Sequence, residues 1–334
     1  MKTRLTIFML AVFALAPAAS VSAPKQDTQK QKSPPPAAQP ETPPPAPQPE
    51  PVVDLAFGAY QRGDYLAAFN EAKRRAESGQ DAKAMTLLGE LYAGGFGTPK
   101  DDDKAFEWYR KAAERGDREA MAALGLFYLQ GRATAPNRLE AGKMFTAAAE
   151  KGSAIAAYNL ALLYLEGQVY TQDFAAAAKW FRAAAEQDVP DAQQALATLY
   201  REGQGVEKNP AEAARWLARA AMLRHPPSMT EYAFAVYNGV GVPKDETAGG
   251  RWFHLAALYG NPIAQNRLAY LLLNGLGGFT RDPIEAMAWH LYAHSRGASN
   301  PALDEMFSKL PDNEREAAAK IVQAWETGTK LPRS

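Results

Sequence analysis

The side chains whose spacing best suits metal chemistry are two histidines near the end of the chain. His290 and His294 are four positions apart, so a helix would bring both rings to one face, as in helical zinc sites. The segment between them reads Leu-Tyr-Ala and supplies no Glu to act as a general base. The 334 residues include only four histidines and no cysteine, which excludes disulfides, thiol nucleophiles and Cys-ligated metals.

Three further motifs resemble binding loops but lack the ligands that such loops need. The run Asp101–Asp103 lacks the oxygen spacing and the closing Glu of a calcium loop. The segments Gly203–Gly205 and Gly239–Gly241 are not followed by the Gly-Lys-Ser/Thr of a phosphate loop. We therefore expect no catalytic residues, no metal and no cofactor, and the chain is not predicted to be an enzyme.

The elements that carry these motifs recur every 36 residues, which is the signature of a repeat protein. Five columns of similar residues stay in phase. They are Ala84, Ala120, Ala156, Ala192, Ser228 and Ala264; Leu88, Leu124, Leu160, Leu196, Tyr232 and Leu268; Gly89, Gly125, Ala161, Ala197, Ala233 and Ala269; Gly95, Gly131, Gly167, Gly203, Gly239 and Gly275; and Asp101, Asn137, Asp173, Asn209, Asp245 and, one residue late, Asp282. Asp101 and both Gly-x-Gly segments fall in these columns, so we interpret them as parts of the repeat.

The columns predict a pair of helices in each repeat. The small residue at the position of Gly89 would let the second helix approach the first closely. The glycine at the position of Gly95 would end the first helix, where a positive φ is cheap for glycine. The column that begins at Asp101 supplies N-caps for the second helices, because a short side-chain oxygen accepts the first free N–H groups. Asp102 lies outside that column, so its replacement is expected to be nearly neutral.

The same alignment bears on the histidine pair. His290 falls in the second-helix column of Tyr109, Phe181 and Phe253, which are packing residues. His294 falls in a column of alanines next to the end of the solenoid. The alignment therefore favours packing in the core or the cap over a metal site.

Such helical hairpins must stack, because none can bury its apolar face alone. We predict an all-α, right-handed α-solenoid of 36-residue helical hairpins over residues 54–300. Residues 54–81 would form a leading hairpin, and the sixth repeat has one extra residue within 275–279. Residues 301–334 would close the end as capping helices, the second of them with Asp312 as its N-cap.

The consensus of these columns resembles the Sel1-like repeat, a relative of the tetratricopeptide repeat. Residues 84–120 match it almost throughout, in Leu88-Gly89, Gly95-Phe96-Gly97, Trp108-Tyr109 and Lys111–Gly116. The resemblance covers about residues 54–300. It implies an adaptor that binds other proteins in complexes, signalling and cell-envelope processes. Because this chain has no cysteine, properties of the disulfide-stapled members, including β-lactam binding, are not transferred to it.

The first 23 residues read as a cleaved export signal. Lys2 and Arg4 form a basic start, Leu5–Leu15 a short apolar segment, and Ala16–Ala18 an A-x-A cleavage site. Eleven residues are too few to cross a bilayer comfortably, so we expect no stable membrane span after cleavage. The alternative is an uncleaved anchor. The predicted localisation is exported, either periplasmic or secreted.

Residues 24–53 form a Pro-rich linker that cannot build a core. They hold eleven of the 24 prolines, and runs such as Pro34–Pro36 favour polyproline II. The segment is interpreted as a solvated spacer, with a PxxP-type ligand or a wall-threading arm as the alternative.

Partners are expected on the concave side, which the first helices of successive repeats should line. We call the positions of these helices that face the concave side, away from the second helices, the inner wall. Its candidate binding residues are Leu126, Leu129, Tyr158, Asn159, Leu162, Leu165, Phe234, Tyr237, Arg267, Tyr270 and Leu273. Apolar side chains on a wall that should face water suggest protein binding, unless closure of the superhelix buries some of them.

The predicted function is a non-catalytic scaffold or regulator in the cell envelope that binds proteins or peptides. The alternative is a cell-wall-associated enzyme or a glycan-binding protein. Nucleic acid is not an expected partner, because Lys plus Arg and Asp plus Glu both total 37 and the net charge is zero.

Overall fold

The computed structural model describes residues 54–328, and the segments predicted to be an export signal and a Pro-rich linker lie outside this range. The described residues form sixteen helices and no strand. The helices are α1 Leu55–Gln61, α2 Tyr65–Glu77, α3 Ala82–Gly94, α4 Asp102–Glu114, α5 Arg118–Gln130, α6 Arg138–Glu150, α7 Ala154–Glu166, α8 Phe174–Ala185, α9 Pro190–Glu202, α10 Pro210–Met222, α11 Pro226–Asn238, α12 Glu246–Leu258, α13 Pro262–Asn274, α14 Pro283–His294, α15 Pro301–Ser308 and α16 Asp312–Glu326. The all-α prediction is confirmed.

The helices end where the columns predict. Each first helix from α3 to α13 ends on a glycine in the left-handed region, with φ of 71° at Gly95 and 64° at Gly275. Each second helix from α4 to α14 begins at the predicted Asp or Asn, whose side chain accepts a backbone N–H. Asp173, for example, accepts from the amides of Ala175 and Ala176 at 2.8 and 2.9 Å. The polar residues thus fix where every hairpin turns.

The small column lets the two helices of a repeat approach closely. A Cβ added at Gly89 would lie 2.8 Å from the ring of Tyr109, and one added at Gly125 would lie 2.5 Å from the ring of Phe145. Both distances are shorter than van der Waals contact, so the aromatic ring occupies the space that a side chain would need.

The hairpins stack as a solenoid. Each first helix contacts the second helix of its own repeat and the second helix of the preceding repeat. The core is therefore continuous along the stack, and residues such as Leu88, Phe145, Phe181 and Phe253 are fully buried within it.

The C-terminal helices close the last repeat. Trp325 of α16 lies against Trp289 of α14, with ring centroids 4.7 Å apart, and Phe307 of α15 is buried. The expected N-cap of α16 was wrong. Pro311 occupies that position, while Asp312 is the first helical residue and pairs with Arg315. An acidic residue suits the first turn of a helix as well as its cap, which is why the sequence misplaced it by one residue.

Candidate partner-binding surface on the first helices

Side chains bridge consecutive first helices and make the inner wall continuous. The hydroxyl of Tyr60 in α1 donates to Glu90 in α3 at 2.7 Å. The amide of Gln194 in α9 donates to Glu231 in α11 at 2.5 Å. Because side chains on first helices one repeat apart reach each other, these helices form one surface rather than separate ridges.

Five of the predicted wall residues are buried rather than exposed, and this corrects the expectation. They are Tyr158, Asn159, Leu162, Tyr237 and Leu273, each with less than a tenth of its surface accessible. The two tyrosines are covered by the second helix of their own repeat, because Tyr158 packs on Phe181 of α8 and Tyr237 packs on Phe253 of α12. Whether these residues contact a partner stays a prediction, but they present little surface for doing so.

Tyr158 and Asn159 show how the burial arises. The ring of Tyr158 packs 5.7 Å from Phe181 of α8, and burial raises the pKa of its hydroxyl to about 12. The amide nitrogen of Asn159 donates to the carbonyl of Ile155 in its own helix at 2.8 Å. This hydrogen bond uses one of the two amide N–H groups of Asn159 within its own helix.

The other six predicted residues keep accessible surface and fall into two stretches. Leu126, Leu129 and Leu165 form the stretch in repeats 2 and 3, where they rest against the core as half-buried aliphatic side chains. Phe234, Arg267 and Tyr270 belong to the stretch in repeats 5 and 6. Tyr270 is the most open, with 37% of its surface exposed.

Arg267 sits among four aromatic rings. Its Cζ lies 5.1 Å from the ring centroid of Tyr237, 5.2 Å from Tyr270, and 5.8 Å from both Phe234 and Phe253. Phe234 packs edge-on against Phe253 at 4.7 Å, which fixes one side of the enclosure. A guanidinium near aromatic faces gains roughly 0.5–2 kcal/mol from the ring quadrupoles.

The guanidinium of Arg267 has no polar partner among residues 54–328. Its Nε is buried without a hydrogen-bond acceptor, and no carboxylate of the described chain pairs with it. Glu231 occupies the same column one repeat earlier, but its oxygens already accept from Gln194 and Arg201. The side chain is only partly buried, so an incoming group can reach it.

A cleft of about 230 Å³ opens beside the same aromatic residues, between α10 and α11. Leu217, Phe234, Ala235 and Val240 give it an apolar lining, and Glu231 lies at its polar side. Phe234 takes part in both the cleft and the aromatic enclosure of Arg267. The cleft and Arg267 therefore share a wall.

The family model for the Sel1 repeat matches six consecutive segments, at residues 82–117, 118–153, 154–189, 190–225, 226–261 and 262–297. The chain belongs to the Sel1 repeat family. Each matched Sel1 repeat starts at the first residue of a first helix, so the family boundaries and the observed hairpins agree.

Two solved structures of Sel1 repeat proteins resemble most of this chain. One is a protective antigen present in uropathogenic Escherichia coli strains, at 30% identity with a TM-score of 0.70, over 80% of this chain and 60% of that one. The other is a Sel1 repeat protein from Oxalobacter formigenes, at 28% identity with a TM-score of 0.63, over 73% of this chain and 97% of that one. The chain thus spans 60% of the length of the Escherichia coli antigen. No curated protein matches it.

His290 packs inside the last Sel1 repeat, as its column predicts. It is 2% exposed, and its ring stacks on Phe307 with centroids 5.2 Å apart. Nδ1 lies 2.8 Å from the Oδ1 of Asn266, and Nε2 lies 2.8 Å from the Oδ1 of Asp304. Both ring nitrogens are engaged, so His290 joins the final Sel1 repeat to the cap helix α15.

Sequence reasoning missed the polar residues that organise the Sel1 wall. Glu231 draws Gln194 and Arg201 together, and the partly buried Glu90 accepts from Tyr60. The signal was present, because Glu231 and Arg267 follow Leu87, Ala123, Asn159 and Ala195 in one column. A change from small or apolar to charged residues within a repeat column marks the place where the wall differs.

Within residues 54–328, no helix is both long and apolar enough to cross a membrane.

Proposed function

We propose that the protein is a non-catalytic scaffold that binds partner proteins or peptides along the inner wall of Sel1 repeats 5 and 6. Sel1 repeat proteins generally act as protein–protein interaction scaffolds, which gives the class of function. The observation that carries the location is the pairing of an open apolar cleft with an arginine that lacks a polar partner. Binding surfaces commonly combine aromatic and arginine anchors of this kind.

The partner is proposed to be a component of the cell envelope. Support comes from the sequence of residues 1–23, which reads as an export signal, and from the absence of cysteine, which leaves nothing to misoxidise outside the cytoplasm. Mass spectrometry of the mature protein should find an N-terminus between Ala19 and Pro24. A membrane-retained species that starts at Met1 would favour the anchor alternative instead.

Site-specific photo-crosslinking in producing cells tests the binding surface. A photoreactive residue replaces Tyr270 on the wall, and a second variant carries it at Leu139, which is 54% exposed on the second helix α6. The proposal expects a crosslinked protein adduct from position 270 and none of the same mass from position 139. Equal crosslinking at both positions, or an adduct from position 139 alone, would contradict binding on the inner wall.

A further inference from the structure

Arg267 marks the point where the inner wall can recognise charge. We propose that Arg267 and its aromatic enclosure bind a carboxylate of the partner peptide, while the neighbouring cleft takes an apolar side chain of the same peptide. This inference rests on the proposed function, because it names the chemistry of a ligand for the same wall.

The need for an anion follows from what surrounds the guanidinium. Arg267 carries five N–H donors and no acceptor, and within the described chain none of them has a hydrogen-bond partner. Ring faces attract the positive charge, but they leave the donors unused. A bound anion would pair with guanidinium donors that no acceptor of the described chain engages.

A carboxylate fits better than a phosphate group. The planar guanidinium presents a fork that matches the two oxygens of a carboxylate. Sites for phosphate usually add further cations or a row of backbone N–H groups. Here the enclosure is made of Phe234, Tyr237, Phe253 and Tyr270, and the nearby Arg201 is already paired with Glu231.

The apolar part of the site indicates which residues should accompany the carboxylate. The cleft of about 230 Å³ shares Phe234 with the enclosure, and Leu217 and Val240 line it further along. A Leu or Phe side chain close to the carboxylate could therefore occupy the cleft. The carboxylate itself could come from the end of a partner chain or from an Asp or Glu within it.

Three probe peptides separate these sources. They are acetyl-Ala-Ala-Leu-Phe with a free carboxyl terminus, the same peptide as its C-terminal amide, and acetyl-Ala-Glu-Leu-Phe as its amide. Each is titrated into the isotope-labelled mature protein, and the arginine Nε–H resonances are followed by NMR. Arg267→Gln assigns the Arg267 resonance by removing it.

The proposal expects a carboxylate-bearing peptide to shift the Arg267 resonance and to bind at least tenfold more tightly than the neutral amide. A terminal source predicts this for the first peptide, and a side-chain source predicts it for the third. Affinity should fall as salt rises, because the contact is ionic. Arg267→Gln should remove the tenfold preference, while Arg251→Gln, an exposed arginine on α12, should leave it unchanged.

The outcomes separate this inference from the proposed function. If all three peptides bind the wall with equal affinity, or if Arg267→Gln keeps the preference, the carboxylate site is wrong while a peptide-binding wall survives. If none of the peptides binds up to millimolar concentration, the carboxylate site is also overturned. The crosslinking at position 270 then tests separately whether the inner wall binds a partner protein. A thermal melt of Arg267→Gln that matches the unmodified protein excludes unfolding as the cause of any loss.

Discussion

Two stretches of the inner wall occupy equivalent positions in the repeat but differ in what they offer a partner. In repeats 2 and 3, Tyr158 and Leu162 are buried in the core, and the candidate residues that remain accessible are aliphatic side chains such as Leu126. In repeats 5 and 6 an aromatic group stays partly open around the unpaired Arg267. Helical periodicity thus assigns a residue to a face, but the neighbouring helix decides whether that face is open.

The difference between the stretches begins with one position of the first helix. Asn159 fills it in repeat 3 and bonds to its own helix, whereas Arg267 fills it in repeat 6 and has no acceptor in the described part of the chain. The long guanidinium is flanked by the rings of Tyr237 and Tyr270. The short side chain of Asn159 thus uses a donor within its own helix, whereas the guanidinium of Arg267 keeps donors that no described acceptor engages, even though Tyr237 beside it is buried.

Truncation of a tyrosine in each stretch should have the largest and most unequal effect. Tyr158→Ala removes a buried ring from the core, so it should lower the free energy of unfolding by about 3–5 kcal/mol. Tyr270→Ala removes a ring that is 37% exposed, so it should cost less, about 1 kcal/mol. Urea unfolding followed by circular dichroism measures both. If the two variants lose equal stability, the distinction between a closed and an open stretch fails.

Removal of the N-caps should affect both stretches equally. Asp173 and Asp282 cap the second helices of repeats 3 and 6, and each accepts backbone N–H groups at 2.8–2.9 Å. Either Asp→Ala change should cost about 0.5–2 kcal/mol, because loss of the cap leaves those donors unpaired. A clear difference between the two would show that the stretches differ in the stability of their helical hairpins as well as in the residues of their wall.

The control for that experiment has to be Asp103 rather than Asp102. The sequence placed Asp102 outside the cap column and so predicted a neutral substitution. Instead Arg132 donates to both carboxylate oxygens of Asp102, and this contact holds the pKa of that carboxyl below its usual range. Asp103 is exposed, and its replacement by Ala should change stability by only a few tenths of a kcal/mol.

These two aspartates show which features could be predicted from the sequence and which could not. The repeat columns predicted the helices, the glycine ends, the Asp and Asn caps and the position of His290, because these depend on local backbone geometry that recurs every 36 residues. The Arg132–Asp102 pair depends on a contact between repeats, and the burial of Tyr158 depends on how closely helix α8 packs against its ring. Such contacts vary with the superhelical approach of neighbouring helices, which a single column does not encode.

The smallest expected effect concerns Glu90, another ionisable residue of the wall. Glu90 in repeat 1 already has a partner in Tyr60, but burial outweighs that hydrogen bond and raises the pKa of the Glu90 carboxyl. Because the folded state holds this proton more tightly than the unfolded state, ionisation of Glu90 lowers stability as pH rises from its ordinary value through its raised value.

Glu90→Gln should therefore make the protein slightly more stable at pH 7 and should remove this part of the pH dependence. Thermal melts from pH 4 to pH 8 should show the advantage of the variant growing with pH and then levelling off. An advantage that grows toward low pH would mean that Tyr60, rather than burial, controls Glu90. Glu90 would then be a stabilising paired charge instead of a destabilising buried one.

The central claim is that the stretch in repeats 5 and 6, and not the one in repeats 2 and 3, holds the partner. The most direct measurement is the affinity of the captured partner, the one that crosslinks to position 270, for two double variants of this protein. One variant combines Arg267→Gln with Tyr270→Ala, and the other combines Leu126→Ala with Leu129→Ala. The account predicts a loss of at least about 2 kcal/mol, roughly thirtyfold, for the first pair and less than threefold for the second. An equal loss in both, or a loss confined to the leucine pair, would contradict it.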